Sequence, residues 1–203
     1  MGRKFWRVEL GAKVCVTVLK DISADPENIV QISAGSDEEI PILQAAFPKA
    51  RWTGIEPDTD SCRQWATKYP GELIKAVAGD RHGSQTRYHG ARAWRFRLDR
   101  RGQRVPCVSL DGLLCDHRAF GKTFLWSDCD GGELAMLRGA RQFMQKHCWW
   151  AWLEEAAAPE EATWPDDIQV CDEMNRLGFK PLFRAGAWFP PKYCADTLYV
   201  RRQ

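Results

Sequence analysis

The chain has 203 residues, of which 44% are hydrophobic and 28% charged, and a formal net charge of +2. That length carries one α/β domain with a sizeable core but hardly two full domains, and the composition is ordinary for a soluble globular protein. A charge so close to balance gives no sign of a nucleic-acid or membrane partner, and the eight cysteines form no Cys-x-x-Cys pair, so zinc and disulfide frameworks fall behind reduced, structural thiols.

Residues 1–27 read as an N-terminal extension with a strand at Lys13–Leu19. The apolar run Val14–Leu19, flanked by Lys13 and Lys20, is far shorter than the ~20 residues of a membrane span. No signal peptide is visible, and Trp6 occupies the place where a myristoylation signal wants serine or threonine. The expectation is a soluble, cytoplasmic protein. Its oligomeric state is not legible.

From residue 28 to 203 the pattern is that of a single domain in which strands and helices alternate. Strands are expected at Ile29–Ala34, Arg51–Glu56, Glu72–Val77, Thr123–Asp128, Trp149–Glu154, Phe179–Arg184 and Thr197–Arg201. Helices are expected at Glu38–Phe47, Asp60–Lys68, Glu133–Lys146 and Asp166–Leu177, the last stopped by Gly178. This order predicts an α/β fold: a Rossmann-like, doubly wound, mostly parallel seven-stranded sheet with right-handed crossovers.

Between the third and fourth strands an insert at about 85–108 carries Arg87, Arg92, Arg95, Arg97, Arg100, Arg101 and Arg104, interleaved with Tyr88, Trp94 and Phe96. Trp94, Phe96 and Leu98 alternate with Arg95, Arg97 and Asp99, a period of two that predicts a strand. Arg100–Gln103 would turn it and Val105–Val108 would return it, a basic β-hairpin able to overhang a ligand crevice.

The densest chemistry is in Thr123–Ala140. An apolar run ends in Asp128, Asp130 and Glu133 around Gly131 and Gly132, and Leu134, Leu137, Ala140, Phe143 and Met144 then recur at helical spacing. The acids fall on a strand-to-helix turn, where open α/β sheets bind their ligands. Asp128, Asp130, Gly131, Glu133, Leu137, Gly139 and Ala140 match the pattern lysine-isoleucine-aspartate-x-glutamate-glycine-x-glutamate and the leucine-x-glycine-alanine helix of the FkbM family of S-adenosylmethionine-dependent methyltransferases, which this segment resembles. Asp130 replaces that family's glutamate and Trp126 its lysine. Glu56-Pro57, the Ser109-Leu110-Asp111 element and the Asp196–Val200 strand extend the resemblance from about Ile29 to Val200. It implies a class I methyltransferase fold closing on an antiparallel hairpin, with S-adenosylmethionine as cofactor and S-adenosylhomocysteine as product.

A Rossmann-type cofactor site needs a close backbone turn after the first strand and an acid about 20 residues on to accept two ribose hydroxyls. Glu56, followed by Pro57, ends the second strand at nearly that distance from Gly35. The turn itself reads Gln31-Ile32-Ser33-Ala34-Gly35-Ser36-Asp37, against a family pattern close to aspartate-x-glycine-alanine-x-x-glycine. Gln31 stands where a carboxylate is expected, Ser33 replaces the first glycine and Asp37 the last. Asp80, after the third strand, falls where similar proteins face the adenine amine; a plain turn aspartate is an equal reading. A nicotinamide dinucleotide suits this turn less well, because pyrophosphate binding wants more glycines and Asp37 would repel phosphate.

Methyl transfer to a hydroxyl needs an aligned acceptor and a base. Asp128 is the first candidate, Asp130 and Glu133 follow, and Glu154 at the end of the fifth strand is a further one. Three acids this close also suit a divalent cation; that is the lesser reading, since acids at a helix N-terminus stabilise its dipole. His147 reads as a helix-closing residue, and His82 and His89 as weak alternative bases in loops. Trp149, Trp150 and Trp152 read as core, whereas Trp164 and Trp188 could line an acceptor cleft. Arg95 and Arg97 are either solvated or forks for an anionic acceptor. Nucleic acid ranks lower because no basic stripe runs along the rest of the chain and no Asn-Pro-Pro-Tyr-like signature is present. The reading is an O-methyltransferase acting on a small or carbohydrate-like acceptor, an anionic one included; the alternative is a catalytically silent protein of the same fold that binds a glycan or nucleic acid through Arg87–Arg104.

Overall fold

The computed structural model describes residues 2–34, 39–88, 103–114, 121–129, 131–156, 167–189 and 192–202, with backbone alone for 2–10, 85–88, 103, 155–156, 167, 186–189 and 192–195. In chain order the elements are α1 Gly2–Asp21, β1 Asn28–Ile32, α2 Glu39–Ala46, β2 Arg51–Glu56, α3 Thr59–Trp65, β3 Glu72–Lys75, β4 Val77–Ala78, β5 Ser84–Tyr88 and β6 Gln103–Val108. They continue with α4 Leu110–Leu114, β7 Thr123–Ser127, α5 Glu133–Arg138, α6 Arg141–Lys146, β8 Cys148–Ala156, α7 Asp167–Arg176, β9 Phe179–Phe189 and β10 Lys192–Arg201.

Seven strands form one sheet in the order β3-β2-β1-β7-β8-β10-β9. The first five run parallel, and β10 is antiparallel to both β8 and β9. This is the expected mostly parallel sheet with its closing antiparallel hairpin. Every residue of β1 and β7 is buried, because helices cover both faces of a parallel sheet. On one face Val30, Ile32, Ile55, Leu125, Ala151 and Leu153 meet Leu137, Phe143 and Met144 of the α5–α6 region and Met174 of α7. On the other, Ile29, Phe124, Trp126 and Trp152 meet α1 and α2 through Ala12, Cys15, Leu19, Ile40 and Leu43. Trp126 and Trp152 lie side by side in register and stack at 5.4 Å with 13° between their rings.

The strand expected at Lys13–Leu19 is instead part of helix α1. Val14, Val16 and Val18 favour a strand on local propensity, but Ala12, Cys15 and Leu19 recur at three and four residues and are fully buried. Burial of one helical stripe outweighs the weak preference of β-branched residues. Among the described residues no helix is long and apolar enough to cross a membrane.

The insert pairs differently from the expectation. β5 is the outgoing strand and runs antiparallel to β6, from Ser84↔Cys107 to Tyr88↔Gln103. Gln103, expected in the turn, is in the returning strand. The segment expected as the outgoing strand, Trp94–Asp99, lies outside the described residues. β4 joins β6 in parallel, so the insert belongs to a second, three-stranded sheet.

The single helix expected over Glu133–Lys146 is broken at Gly139 into α5 and α6. A Cβ at Gly139 would stand 2.0 Å from the Gly79 carbonyl oxygen, so only glycine lets the loop after β4 approach here. The break leaves new N–H groups at the start of α6, and Asp111 supplies their acceptor from α4. Its Oδ1 accepts from Phe143 N at 2.7 Å, while its own N–H donates to Gly139 O. The Ser109-Leu110-Asp111 element is therefore structural: Ser109 Oγ accepts from Gly112 N within α4, and Asp111 caps another helix. Asp111→Ala should cost about 1–2 kcal/mol, the range of lost N-caps, seen as a lower urea midpoint with an unchanged m-value.

Candidate active site

The strand order reverses between β1 and β7, the place where open α/β sheets bind their ligands, outside the carboxyl ends of the strands. Ile32 pairs with Ile55 on one side and Ser127 on the other, and Ser127 pairs with Leu153. One residue further along each strand stand Glu56, Ser33, Asp128 and Glu154, and Glu154 pairs with Asp196 of β10. Glu56 and Asp128 thus flank Ser33 on the same edge. With strands about 4.8 Å apart, their backbones stand roughly 10 Å from each other.

Ser33 leaves β1 with φ 60°, the left-handed region that costs a side-chain-bearing residue about 1–2 kcal/mol. It is held there by backbone bonds from Ser33 N and Ala34 N to Ile55 O at 2.9 and 3.4 Å. The position that in the family pattern is a glycine keeps a glycine-like backbone. Ala34 is fully buried. Gly35 and Asp37 lie outside the described residues.

Gln31 is also fully buried. Its Nε2 donates to Glu39 Oε1 at 2.7 Å, and its Oε1 accepts from the Tyr69 hydroxyl at 3.3 Å. Burial, and next the charge of Glu39, push the Tyr69 pKa well above its ordinary value, which keeps the phenol protonated and donating. Sequence reasoning gave no role to Glu39 or Tyr69. Glu39 had a faint signal as an acid at the start of the helix after β1; Tyr69 had none, because only tertiary packing brings it 38 residues back to Gln31.

Glu56 is 4% exposed and its Oε1 accepts from Asp58 N at 2.7 Å, which turns the chain into α3 behind a buried Pro57. Asp58 then caps α3 by accepting from Asp60 N and Ser61 N. Asp80 is exposed and sits 3.9 Å from Arg81, with its backbone beside Gly139. Of the other singled-out groups, Glu154 is buried, His147 closes α6 and His82 accepts from Ser109 N. Trp150 and Trp152 are core, whereas Trp149 is half-buried between the cations Lys122 and Arg201. Asp130, His89, Arg95, Arg97 and Trp164, and the side chain of Trp188, lie outside the described residues. Among the described residues no group of three or more histidine, cysteine or acidic side chains converges to hold a metal.

The Asp128 turn is braced from inside by Glu133. Its Oε1 accepts from Cys129 N at 3.0 Å and its Oε2 from Gly131 N at 2.9 Å, where Gly131 takes φ 97°. Burial pushes the Glu133 pKa up to about 7, backbone N–H bonds oppose it, and the charge of Asp128 adds to the rise. Asp128 itself is half-buried at the mouth of this turn.

A family model described as the methyltransferase FkbM domain matches residues 35–181. No curated protein sequence matches the chain. Among solved structures it is similar to magnesium protoporphyrin IX methyltransferase from Synechocystis PCC 6803 with bound S-adenosylmethionine, at TM-score 0.57 and 12% identity over 98% of this chain and 83% of that one. It is also similar to the Burkholderia thailandensis 1,6-didemethyltoxoflavin-N1-methyltransferase with bound 1,6-didemethyltoxoflavin and S-adenosylhomocysteine, at TM-score 0.52 and 7% identity over 100% and 83%. Identities this low speak for the fold alone.

Glu133 links the turn to pH. Its folded pKa lies above the unfolded value of 4.5, so its contribution to stability is full below about pH 4.5 and is lost as the pH rises through about 7. The stability of the wild type minus that of Glu133→Gln should therefore fall by about 2–3 kcal/mol between pH 5 and pH 8. Parallel denaturation curves over that window would contradict it.

Proposed function

Because the chain belongs to the FkbM methyltransferase domain family, we propose that it is an S-adenosylmethionine-dependent O-methyltransferase acting on a small or carbohydrate-like acceptor. One observation carries the reading: Glu56 and Asp128 close the two strands that flank β1, on one edge, with the left-handed Ser33 turn between them. The buried thiols of Cys15, Cys107, Cys129 and Cys148 suit a reducing, cytoplasmic setting.

The residues present fit that cofactor. Ser33 keeps the backbone shape that admits a close ligand, and a carboxylate at the end of β2 has the lone pairs to take two hydrogen bonds from a ribose diol. Bound there, S-adenosylmethionine supplies an electrophilic methyl group. Glu56 holds the ribose hydroxyls, and the Ser33–Asp37 turn lies against the rest of the cofactor. Asp128, on the turn braced by the Glu133 hydrogen bonds, would orient the acceptor hydroxyl and take its proton. Glu154, at the same level on β8, is proposed as the secondary candidate for the base. The arginines of the insert, Arg95 and Arg97 among them, and Trp164 are proposed to meet the acceptor, with an anionic sugar the best match to guanidinium forks.

A second reading, a catalytically silent relative, is favoured by one observation: Gln31 is spent on buried partners and offers the crevice no carboxylate. Calorimetric titration separates the two. Wild-type protein should bind S-adenosylmethionine and S-adenosylhomocysteine, and Glu56→Ala should weaken both at least tenfold, as expected for lost charge-assisted hydrogen bonds. Asp128→Asn should bind S-adenosylhomocysteine within about threefold of wild type yet lose roughly 10²–10⁴ in kcat on an accepted substrate. A wild type that binds neither ligand overturns the enzyme reading in favour of the silent one.

A further inference from the structure

The net charge of +2 hides a separation of charge along the strand direction. The carboxyl edge of the sheet holds Glu56, Asp128 and Glu154, whereas the opposite, amino edge is basic. Arg51 heads β2, Lys122 precedes β7, Lys180 is the second residue of β9 and Arg202 follows β10. Register sets these strand ends at one level: Asn28 pairs with Arg51 and Thr123, Thr123 with Cys148, Trp150 with Val200, and Arg201 with Phe179. From β2 to β9 the row crosses six strands, about 24 Å in steps of ~4.8 Å. Lys20 and Lys146 add to it from the last turns of α1 and α6. All six side chains are exposed. The exposed acids of this end among the described residues, Asp21, Asp25, Glu27 and Glu72, are fewer.

Helix dipoles account for part of the pattern. Lys20 and Lys146 lie at helix C-termini, where a cation offsets the unpaired carbonyls. Arg51, Lys122, Lys180 and Arg202 stand at strand ends, and a sheet has only a small net dipole to answer. Two apolar side chains are set among these cations. Ile22, in the loop from α1 to β1, is 41% exposed. Its turn holds it outward: Ala24 N donates back to Leu19 O at 2.9 Å, both of those residues are buried, and Ser23 between them takes φ 55°. Trp149, at the start of β8, is half-buried, with Lys122 Nζ 5.1 Å and Arg201 Cζ 5.4 Å from its ring centre. Cations around a tryptophan and an exposed aliphatic side chain are the groups favoured where water meets a bilayer. A single-stranded nucleic acid would instead want an open ring for base stacking, and two cations already sit over this one.

We propose that the amino edge is a docking face for an anionic lipid bilayer. The protein lies on it peripherally, with Ile22 at the headgroup level and the carboxyl edge turned toward solvent. The face is broad and level, and its cations are spread across the sheet, which matches a flat surface of negative charge. Attraction is electrostatic, with one aliphatic side chain adding to it. Docking of this kind is independent of the proposed methyl transfer.

The test is co-sedimentation of the full chain with vesicles of phosphatidylcholine alone and of phosphatidylcholine containing one-third phosphatidylserine. Wild-type protein should bind the anionic vesicles more tightly than the neutral ones by about tenfold or more. Most of that binding should be lost as the salt rises from ~0.1 to ~0.5 M. The triple variant Lys20→Gln/Lys122→Gln/Lys180→Gln should weaken binding about a hundredfold, near fivefold per cation, and Ile22→Asp should weaken it roughly fivefold. The same loss of charge away from this edge, in Arg63→Gln/Lys75→Gln/Arg81→Gln, should change it by less than about threefold. Wild-type protein that ignores the anionic vesicles, or binds both kinds equally, overturns the proposal, and neither result needs a variant to fold. A folded Lys20/Lys122/Lys180 variant that binds like wild type overturns it too, as does an equal loss in the Arg63/Lys75/Arg81 variant, which would report net charge alone. A single-stranded RNA oligonucleotide that strips the protein from the vesicles at equal phosphate concentration overturns it in favour of nucleic acid.

Discussion

The structure depends on a single constraint: β1 and β7 lie at the middle of a parallel sheet and are buried on both faces. A parallel strand cannot return to its neighbour by a tight turn, so each connection crosses over through a covering layer. Every chain exit then falls on one edge. Polar residues can gather there, and Glu56, Ser33, Asp128 and Glu154 do so at one level. The site is a by-product of how such a sheet must be covered.

That edge is too dry for loosely placed carboxylates. Glu39, Glu56 and Glu133 are each at most 4% exposed, and each accepts at least one short hydrogen bond. Buried charge persists only where such partners replace water. For two of them the partners are backbone N–H groups of turns, so Glu56 fixes the entry to α3 and Glu133 the Asp128 turn, whereas Glu39 takes the side-chain amide of Gln31. Asp111 does the same at a distance for the helix broken at Gly139. Several acids that look alike in sequence are therefore braces, and Asp128 sits half-buried on the turn that one of them holds.

Much of the fold was legible because both periodicities were strong. Fully apolar runs such as Phe124–Trp126 read as strands buried on two faces, and Gly178 marked the end of α7. The misreadings have definite causes. The valines of Val14–Val18 carry a strand's local preference, overridden by the burial of Ala12, Cys15 and Leu19. The break at Gly139 is invisible in a pattern that continues from Leu137 to Met144, because its cause is a carbonyl from the loop after β4. Short α4 went unrecognised, although Ser109, with Gly112 three residues on, is a helix start. In the insert, Ser84–Tyr88 has no apolar alternation like that of Trp94, Phe96 and Leu98, yet it pairs with β6.

Acids at strand ends are a local signal, and the residues alone placed Glu56 and Asp128 on the turns after the second and fourth strands. The left-handed backbone at Ser33 was not local in this way, since a serine there contradicts its own preference and is held by bonds to Ile55 O. The partnership of Gln31 with Glu39 and Tyr69 was beyond reach altogether. The amino-acid order by itself determined which segments become strands and helices, and which of them end in charge, because those depend on neighbours within a few residues. Only the tertiary structure decided which of those charges are buried and spent on hydrogen bonds. That outcome turns on burial and, for Asp111, on a donor brought from 32 residues away, neither of which spacing along the chain encodes.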